Sequence, residues 1–145
     1  DVKPYVRQTA ASALGKIGGA DAINALSLAL VGDRAKGIQR DVKPYVRQTA
    51  ASALGKIGGA DAINALSLAL VGDHAKGIQR DKDEIARQNA AFALGDIGGA
   101  DAIEALSLAL VGDHAKGIQR DKDEIARQNA ASALGEIGGA DAIDA

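Results

Sequence analysis

Two histidines and their acidic neighbours are the first residues of this chain whose types could support chemistry. His74 and His114 are the only histidines, and each follows an aspartate, Asp73 or Asp113. A zinc site needs three or four ligands that converge on one point. The chain has no cysteine, and one histidine beside one aspartate does not complete such a set. We therefore predict surface loop histidines, with no metal site and no other cofactor.

Paired carboxylates are the next candidates, at Asp81 with Asp83 and again at Asp121 with Asp123. General acid–base catalysis needs a cleft that separates two pKa values, and a repeated surface offers no obvious one. The pairs lie where helices are predicted to begin, so helix capping explains them. No nucleophile elbow, phosphate-binding loop or dinucleotide fingerprint is present either. The sequence predicts a protein that is not an enzyme.

Cations recur at fixed positions and would form a basic ridge along one edge of the molecule. Such a ridge can follow a phosphate backbone, with strong salt dependence. Aspartates dilute its charge, no aromatic residues alternate with the cations, and the sequence pI of 5.6 is unlike that of a dedicated nucleic-acid binder. A solvated loop is the simpler interpretation, and weak binding of anions or nucleic acid is an alternative. This loop ridge comprises Arg34, Lys36, Arg40, His74, Lys76, Arg80, His114, Lys116 and Arg120.

All these residues belong to a repeat of 40 residues. Residues 1–40 and 41–80 differ only at Arg34 against His74, residues 81–120 carry nine further changes, and residues 121–145 begin a fourth copy. A period of this length indicates a repeat architecture, here one domain over residues 1–145. The near identity of the copies fits either recent amplification or consensus design. A repeat protein of either origin that has no dedicated partner is therefore an alternative to a binding function. Because the chain begins with Asp1 and stops inside a copy, we interpret it as part of something longer or as engineered.

Each repeat is predicted to contain two helices. In residues 41–80, the segment Pro44–Ile57 has apolar residues at helical spacing. Pro44 suits its first turn, and Gly58 is expected to end it. Gly55 inside this helix predicts close contact with a neighbouring helix. The second helix is predicted over residues 61–71, and residues 72–81 form a loop with a short helical turn near 75–79.

Two further features concern how the helices begin and how the repeats are joined. Asp81 with Glu84 has the spacing of a capping box at the start of the third copy's first helix. One arginine follows the start of each first helix and is predicted to form ion pairs along the stack with Asp21, Asp61, Asp101 or Asp141. These arginines are Arg7, Arg47, Arg87 and Arg127.

Residues 46–70 resemble the HEAT-like repeat of the phycobilisome-lyase type. The resemblance implies an all-α fold, an α-solenoid in which antiparallel helix pairs stack into a right-handed superhelix, with the second helices on the concave side. It implies a non-catalytic scaffold for protein interactions and, as an alternative, a phycobilin lyase subunit or phycobilisome-associated chaperone. Gly59 departs from the family pattern, which has an aspartate there to cap the second helix. The residues that carry the resemblance are Val46, Arg47, Ala50, Ala53, Leu54, Gly55, Ile57, Gly58, Ala62, Ile63, Leu66, Ala69 and Leu70.

The concave face is where a protein or peptide partner is expected. Three leucines at equivalent positions would form an apolar ladder suited to a partner helix or an extended peptide. A slightly rotated helix would bury the same leucines in the core instead. The predicted binding residues are Asn24, Leu28, Asn64, Leu68, Glu104 and Leu108.

Charge is uneven along the chain. The formal net charge is +5 for residues 1–80 and −7 for residues 81–145. Neutral sequence drift on solvent-exposed faces would explain this asymmetry. Head-to-tail attraction between the basic front end of one copy and the acidic back end of another would explain it as well. Repeat arrays normally need polar caps, so we expect head-to-tail association or fraying of residues 138–145. No apolar run approaches the ~18 residues of a membrane span, and the absence of cysteine is compatible with a reducing cytosol. No membrane partner and a cytoplasmic location are therefore expected.

Overall fold

The computed structural model of the chain describes residues 3–144, with side chains for residues 3–138. These residues form helices and loops, and the only β-type pairs among them are three isolated bridges inside loops. The predicted all-α class is confirmed, and each of the first three copies supplies two helices. The helices are α1 (Pro4–Ile17), α2 (Gly19–Val31), α3 (Pro44–Ile57), α4 (Ala60–Val71), α5 (Glu84–Ile97), α6 (Ala100–Val111) and α7 (Glu124–Asp144).

The helices form two layers in which each repeat packs only on its neighbours. The first helices α1, α3, α5 and α7 pack side by side, and each second helix also packs on the first helix of the following repeat, as α4 does on α5. Nearest-neighbour packing of this kind defines a solenoid. The predicted α-solenoid is therefore confirmed, while the right-handed sense of its superhelix stays a prediction.

The first helices form the closest contacts of the stack. In α3, Val46, Ala50 and Leu54 are fully buried, as their helical spacing predicts. A Cβ atom added to Gly55 would lie 2.6 Å from the Cβ of Ala93 on α5. Real Cβ atoms do not approach so closely, so glycine lets the two helix backbones come together. The predicted close contact at Gly55 is confirmed.

The second helices begin without a side-chain cap. Gly59 precedes α4 with a φ of 89°, and its carbonyl accepts a hydrogen bond from the Ile63 N–H at 3.0 Å. The absence of a capping oxygen at this position is as predicted. Leu66 and Leu70 are fully buried against the following repeat. Because α4 lacks a strong cap, its position depends on packing against α5.

Helix α7 departs from the pattern of the earlier copies. The sequence predicts that it ends at Gly138, whereas the helix continues to Asp144. In the earlier copies the second helix gains most of its burial on the first helix of the next repeat. Among residues 3–144 no helix follows α7 in that position, so a turn at Gly138 would gain little buried surface within the described part of the chain. The prediction of a separate second helix in the fourth copy is wrong for this structure.

Three equivalent loops connect the repeats: the first loop (residues 32–43), the second (72–83) and the third (112–123). In the second loop the N–H of Asp73 donates to the carbonyl of Ile78 at 2.7 Å, and the reverse bond is 2.9 Å. The turn spans residues 74–77, slightly before its predicted place. Gly72 has a φ of 73°, and an added Cβ would lie 2.8 Å from the Arg80 nitrogen. The loop therefore folds tightly back on the end of α4.

No helix within residues 3–144 is both long and apolar enough to cross a lipid bilayer. The cytoplasmic location stays a prediction.

Candidate functional surfaces

A ladder of buried ion pairs positions the loops against the first helices. Arg47 on α3 donates from Nε to Oδ2 of Asp81 at 2.8 Å and from Nη2 to Oδ1 at 3.0 Å. Its Nη1 also donates to the carbonyl of Asp41 at 2.8 Å. Arg87 repeats this geometry with Asp121. Each arginine thus joins the ends of two consecutive loops, which sets the spacing of the loops along the stack.

The predicted structural role of these arginines is right, but the predicted partners are wrong. Asp21, Asp61 and Asp101 lie exposed in the first turns of the second helices, and the side chain of Asp141 lies outside the described residues. For Arg7, Arg47 and Arg87 the carboxylate partner stands 34 residues later, at the end of the next loop. Nη1 of Arg127 donates to the carbonyl of Asp121 at 2.6 Å. Bidentate pairing satisfies both oxygens of each buried carboxylate. The same residues are therefore unavailable for acid–base chemistry.

The predicted capping box at Asp81 and Glu84 is also wrong. The cap of α5 is Asp83, whose Oδ2 accepts the N–H of Ala86 at 2.8 Å. Asp81 cannot serve as the cap because Arg47 holds its carboxylate. The equivalent cap of α7 is Asp123, which accepts the N–H of Ala126 at 2.9 Å. Capping thus accounts for only one member of each carboxylate pair.

The second-helix face contains two consecutive grooves, and the six predicted partner-binding residues line them. The groove between α2 and α4 has a volume of about 680 Å³, and the groove between α4 and α6 about 360 Å³. Asn64 and Leu68 line both grooves. Asn24 and Leu28 line the first, and Glu104 and Leu108 line the second. The structure therefore brings these residues together on one face.

The three leucines of this face are half-buried. Leu28, Leu68 and Leu108 belong neither to the buried core cluster nor to the fully exposed side chains. Asn24, Asn64 and Glu104 are exposed beside them. The leucines therefore form apolar strips between polar edges. They are neither as exposed as the predicted ladder requires nor buried in the core.

The predicted ridge residues lie on the three consecutive loops, and two of them, Arg34 and Arg80, also join one loop to the next. Nη1 of Arg34 donates to the carbonyl of Gly77 at 2.7 Å, and Nη2 of Arg80 donates to the carbonyl of Gln119 at 2.5 Å. Lys116 lies 3.8 Å from a carboxylate oxygen of Glu104, with both side chains exposed. Exposed pairs of this kind contribute little stability. Arg40 and Arg80 are half-buried, and the other seven ridge residues are exposed.

Two family models match this sequence. The HEAT repeats family matches residues 75–145, and the PBS lyase HEAT-like repeat matches residues 6–32 and 46–72. Together with the stacked helix pairs, these matches decide the family. The chain belongs to the HEAT-like repeat family. No curated protein matches the chain.

HEAT-like repeats generally mediate protein interactions. Within residues 3–138, no group of three His, Asp or Glu side chains converges as a metal centre would require. His74 lies against the third loop, where a Cβ added to Gly117 would be 3.5 Å from its Cδ2 atom. In the described part of the array, the candidate binding features are therefore the grooves and not a metal centre.

Two loop carboxylates, those of Asp41 and Asp123, have lowered pKa values. The Arg7 guanidinium donates hydrogen bonds to Asp41 and so keeps the pKa of that carboxyl below its usual range, with help from the N–H of Lys43. The pKa of the Arg7 guanidinium is raised in return. The pKa of Asp123 is lowered mainly because the Gln88 side chain donates to it at 2.8 Å. These shifts favour structural carboxylates, since a general acid needs a raised pKa.

Sequence reasoning missed two cations of the HEAT-like loops, Lys82 and Lys122. Both line the grooves between consecutive loops. The sequence does contain a sign of these cations, because the position that is Val42 in the second copy is Lys82 in the third copy and Lys122 in the fourth. Only the stacking of the loops shows that these side chains face the same groove as the ridge residues.

Proposed function

We propose that this HEAT-like array is a non-catalytic scaffold that binds a protein or peptide partner along the second-helix face. The observation that carries the proposal is that all six predicted partner residues line two adjoining grooves on that face. Grooves with apolar strips and polar edges suit an amphipathic helix or an extended peptide. The half-buried leucines supply apolar contact, and the asparagines and Glu104 supply hydrogen-bond partners.

A capture experiment with matched variants tests this proposal. The immobilised chain is exposed to nuclease-treated lysate, and the retained proteins are quantified by mass spectrometry. The test variant is Leu28→Ser/Leu68→Ser/Leu108→Ser. The control is Ile85→Ser/Phe92→Ser/Ile125→Ser, which removes three exposed apolar side chains from α5 and α7. Circular dichroism first confirms that both variants are folded.

The expected result is one defined protein that the parent and the control retain and the leucine variant loses. Equal retention by both variants would move the binding surface away from the second-helix grooves. Loss with both variants would indicate nonspecific apolar adhesion, and the proposal would then fail.

A lyase or chaperone of phycobiliproteins is the alternative that the PBS lyase HEAT-like match favours. It predicts that the chain binds a linear tetrapyrrole or a phycobiliprotein. Adding a phycobilin and recording visible absorbance after gel filtration tests it directly. Co-elution of the pigment supports this alternative, and a colourless protein peak excludes direct pigment capture.

We also propose that this chain associates head to tail. Ala13 is exposed on α1, whereas its counterparts Ala53 and Ala93 are buried against Gly15 and Gly55 of the preceding repeat. At the other end, a Cβ added to Gly135 would contact nothing. Ala13 of a second copy would therefore continue the same glycine–alanine contacts. The positive front half and negative back half favour the same arrangement.

A further inference from the structure

The loops form a second kind of groove beside the second-helix face, with which it shares Val71 and Ile78. The second and third loops enclose an open groove of about 680 Å³, here called the rear loop groove. Its lining includes the apolar side chains of Val71, Ile78 and Ile118. Five cationic side chains line it against one carboxylate, that of Asp81. These cations are Arg80, Lys82, Arg87, Arg120 and Lys122.

Most of this positive charge has no ionic partner. Asp81 is bound by Arg47, and Arg87 is bound by Asp121, so both are already paired. Arg80, Lys82, Arg120 and Lys122 form no ion pair with the carboxylates whose side chains the structure describes. Four like charges around one groove repel each other, and an anionic ligand would relieve that repulsion.

The front loop groove, between the first and second loops, provides an internal comparison. It has nearly the same volume, about 670 Å³, and equivalent walls. It has Val42 at the position where the rear groove has Lys82, while Lys82 itself lines both grooves. Arg40 approaches Asp81 to 4.0 Å. Asp41 adds a second carboxylate to its lining. The two grooves therefore share an architecture and differ mainly in charge.

We propose that the rear loop groove binds an acidic, partly apolar segment of a partner protein in extended form. Unpaired cations match its carboxylates, and Val71, Ile78 and Ile118 match its apolar side chains. A nucleic acid fits less well, because single strands are held mainly by aromatic stacking. No phenylalanine or tyrosine lines this groove, since Phe92 and Tyr45 lie on first helices, and His74 supplies a single imidazole ring rather than a series of stacking platforms.

This site is independent of the scaffold proposal. None of the six partner-binding residues of the second-helix face lines the rear loop groove. Either surface can therefore be lost without the other, and a partner with an acidic tail could occupy both.

Direct binding of defined probes tests the proposal. A fluorescein-labelled peptide of Asp-Glu-Leu triplets is titrated with the full chain at low salt and at about 0.5 M NaCl, where charges are strongly screened. The same peptide made of Asn-Gln-Leu triplets and an oligothymidylate are the comparison probes. We expect anisotropy to show saturable binding of the acidic peptide alone, weakened by salt.

Two substitutions at repeat-equivalent positions locate the site. Lys122→Val removes a cation that lines the rear groove and not the front groove, and we expect roughly two- to fivefold weaker binding. Val42→Lys gives the front groove the cation that the later repeats carry at this position, and calorimetry should then show a second site. Val42 is 72% exposed and Lys122 is exposed as well, so neither substitution disturbs the core.

Three outcomes overturn the proposal. Binding that is unchanged in Lys122→Val and in Arg120→Gln would place the peptide elsewhere. Tighter binding of the oligothymidylate than of the acidic peptide would make the groove a nucleic-acid site. Absence of any binding at low salt would show that the cations are merely solvated. The variant Leu28→Ser/Leu68→Ser/Leu108→Ser must keep the peptide, because it alters only the second-helix face.

Discussion

Arg47 and Asp81 form a bidentate ion pair between α3 and the end of the second loop, and each side chain is only 1% exposed. The 34 residues between them include all of α4, so this pair closes one repeat and starts the next. Removing one partner of a buried ion pair leaves the other charge uncompensated, and the resulting loss of folding stability is therefore large.

Substitution of Arg47 by methionine should therefore destabilise the array strongly. Arg47→Met removes the two guanidinium donors of Asp81 and leaves the buried carboxylate with the Asp83 N–H, at an expected cost of about 3–5 kcal/mol. The free energy of unfolding is measured from urea titrations followed by circular dichroism. Hydrogen exchange should locate the loss at the junction between α3 and the second loop, because each repeat contacts only its neighbours.

Arg7→Met is the matched control for this prediction. Arg7 makes the same bidentate contact with Asp41, but its side chain is 30% exposed. Water can solvate the remaining charge there, so a clearly smaller loss is expected. Equal losses for the two variants would show that burial does not set the strength of the ladder.

Alanine substitutions at Gly55 and Gly135 distinguish the effect of helix propensity on stability from the effect of helix packing. Gly55→Ala should destabilise the array, because the new Cβ would lie 2.6 Å from the Ala93 Cβ and 3.0 Å from its Cα. Overpacking of this kind costs about 1–3 kcal/mol. Alanine also favours a helix over glycine by up to ~1 kcal/mol, which offsets only part of the cost.

Gly135→Ala makes the same chemical change where no neighbour lies within 4 Å of the new Cβ. It should stabilise α7 by up to ~1 kcal/mol. Urea midpoints of both variants are compared with that of the parent. A stabilising Gly55→Ala would mean that α3 and α5 can separate at no cost, contrary to the contact described.

Acid should weaken the array through the carboxylates whose pKa values are lowered. The pKa of Asp41 is lowered mainly by the hydrogen bond from Arg7. Its unfolded pKa is about 3.9, so the folded state releases the proton more readily than the unfolded state. The resulting stabilisation is fully present above that value and is lost as pH falls through the lower folded pKa.

The measurement is the urea midpoint at pH 7 and at pH 3. Arg7→Gln removes the main cause of the lowered pKa of Asp41, so the difference between the two midpoints should shrink. Arg34→Gln is the control, because Arg34 binds only the carbonyl of Gly77 and no carboxylate. If both variants change the acid dependence equally, the Arg7–Asp41 bond is not its source.

Self-association should depend on Ala13 and not on its neighbour. Ala13→Glu places a charge where a second copy would contact Gly135, so sedimentation velocity should show a loss of oligomers. Ser12→Glu adds the same charge at the next position, and its counterparts Ser52 and Phe92 stay exposed within the stack. A parent chain that is monomeric at high concentration, or equal behaviour of both variants, would contradict head-to-tail contact.

The sequence by itself determined the local structure of this protein. The 40-residue period, the helical spacing around Val46 and Leu54, and the glycines at 58 and 72 indicate helix pairs with defined ends. These features act over a few residues, so neighbours along the chain suffice to predict them. The conspicuous Gly55 inside a helix also predicted the close contact with α5.

Only the tertiary structure decided which distant residues meet. Arg47 binds Asp81 and not Asp61, because the loop returns Asp81 to α3 while Asp61 points to solvent at the start of α4. Lys82 and Lys122 share a groove with Arg80 and Arg120 only because successive loops stack. Helix α7 continues through Gly138, and among the described residues no following helix is present on which a second helix could be buried. In each case the outcome depends on burial against another repeat, which local spacing does not encode.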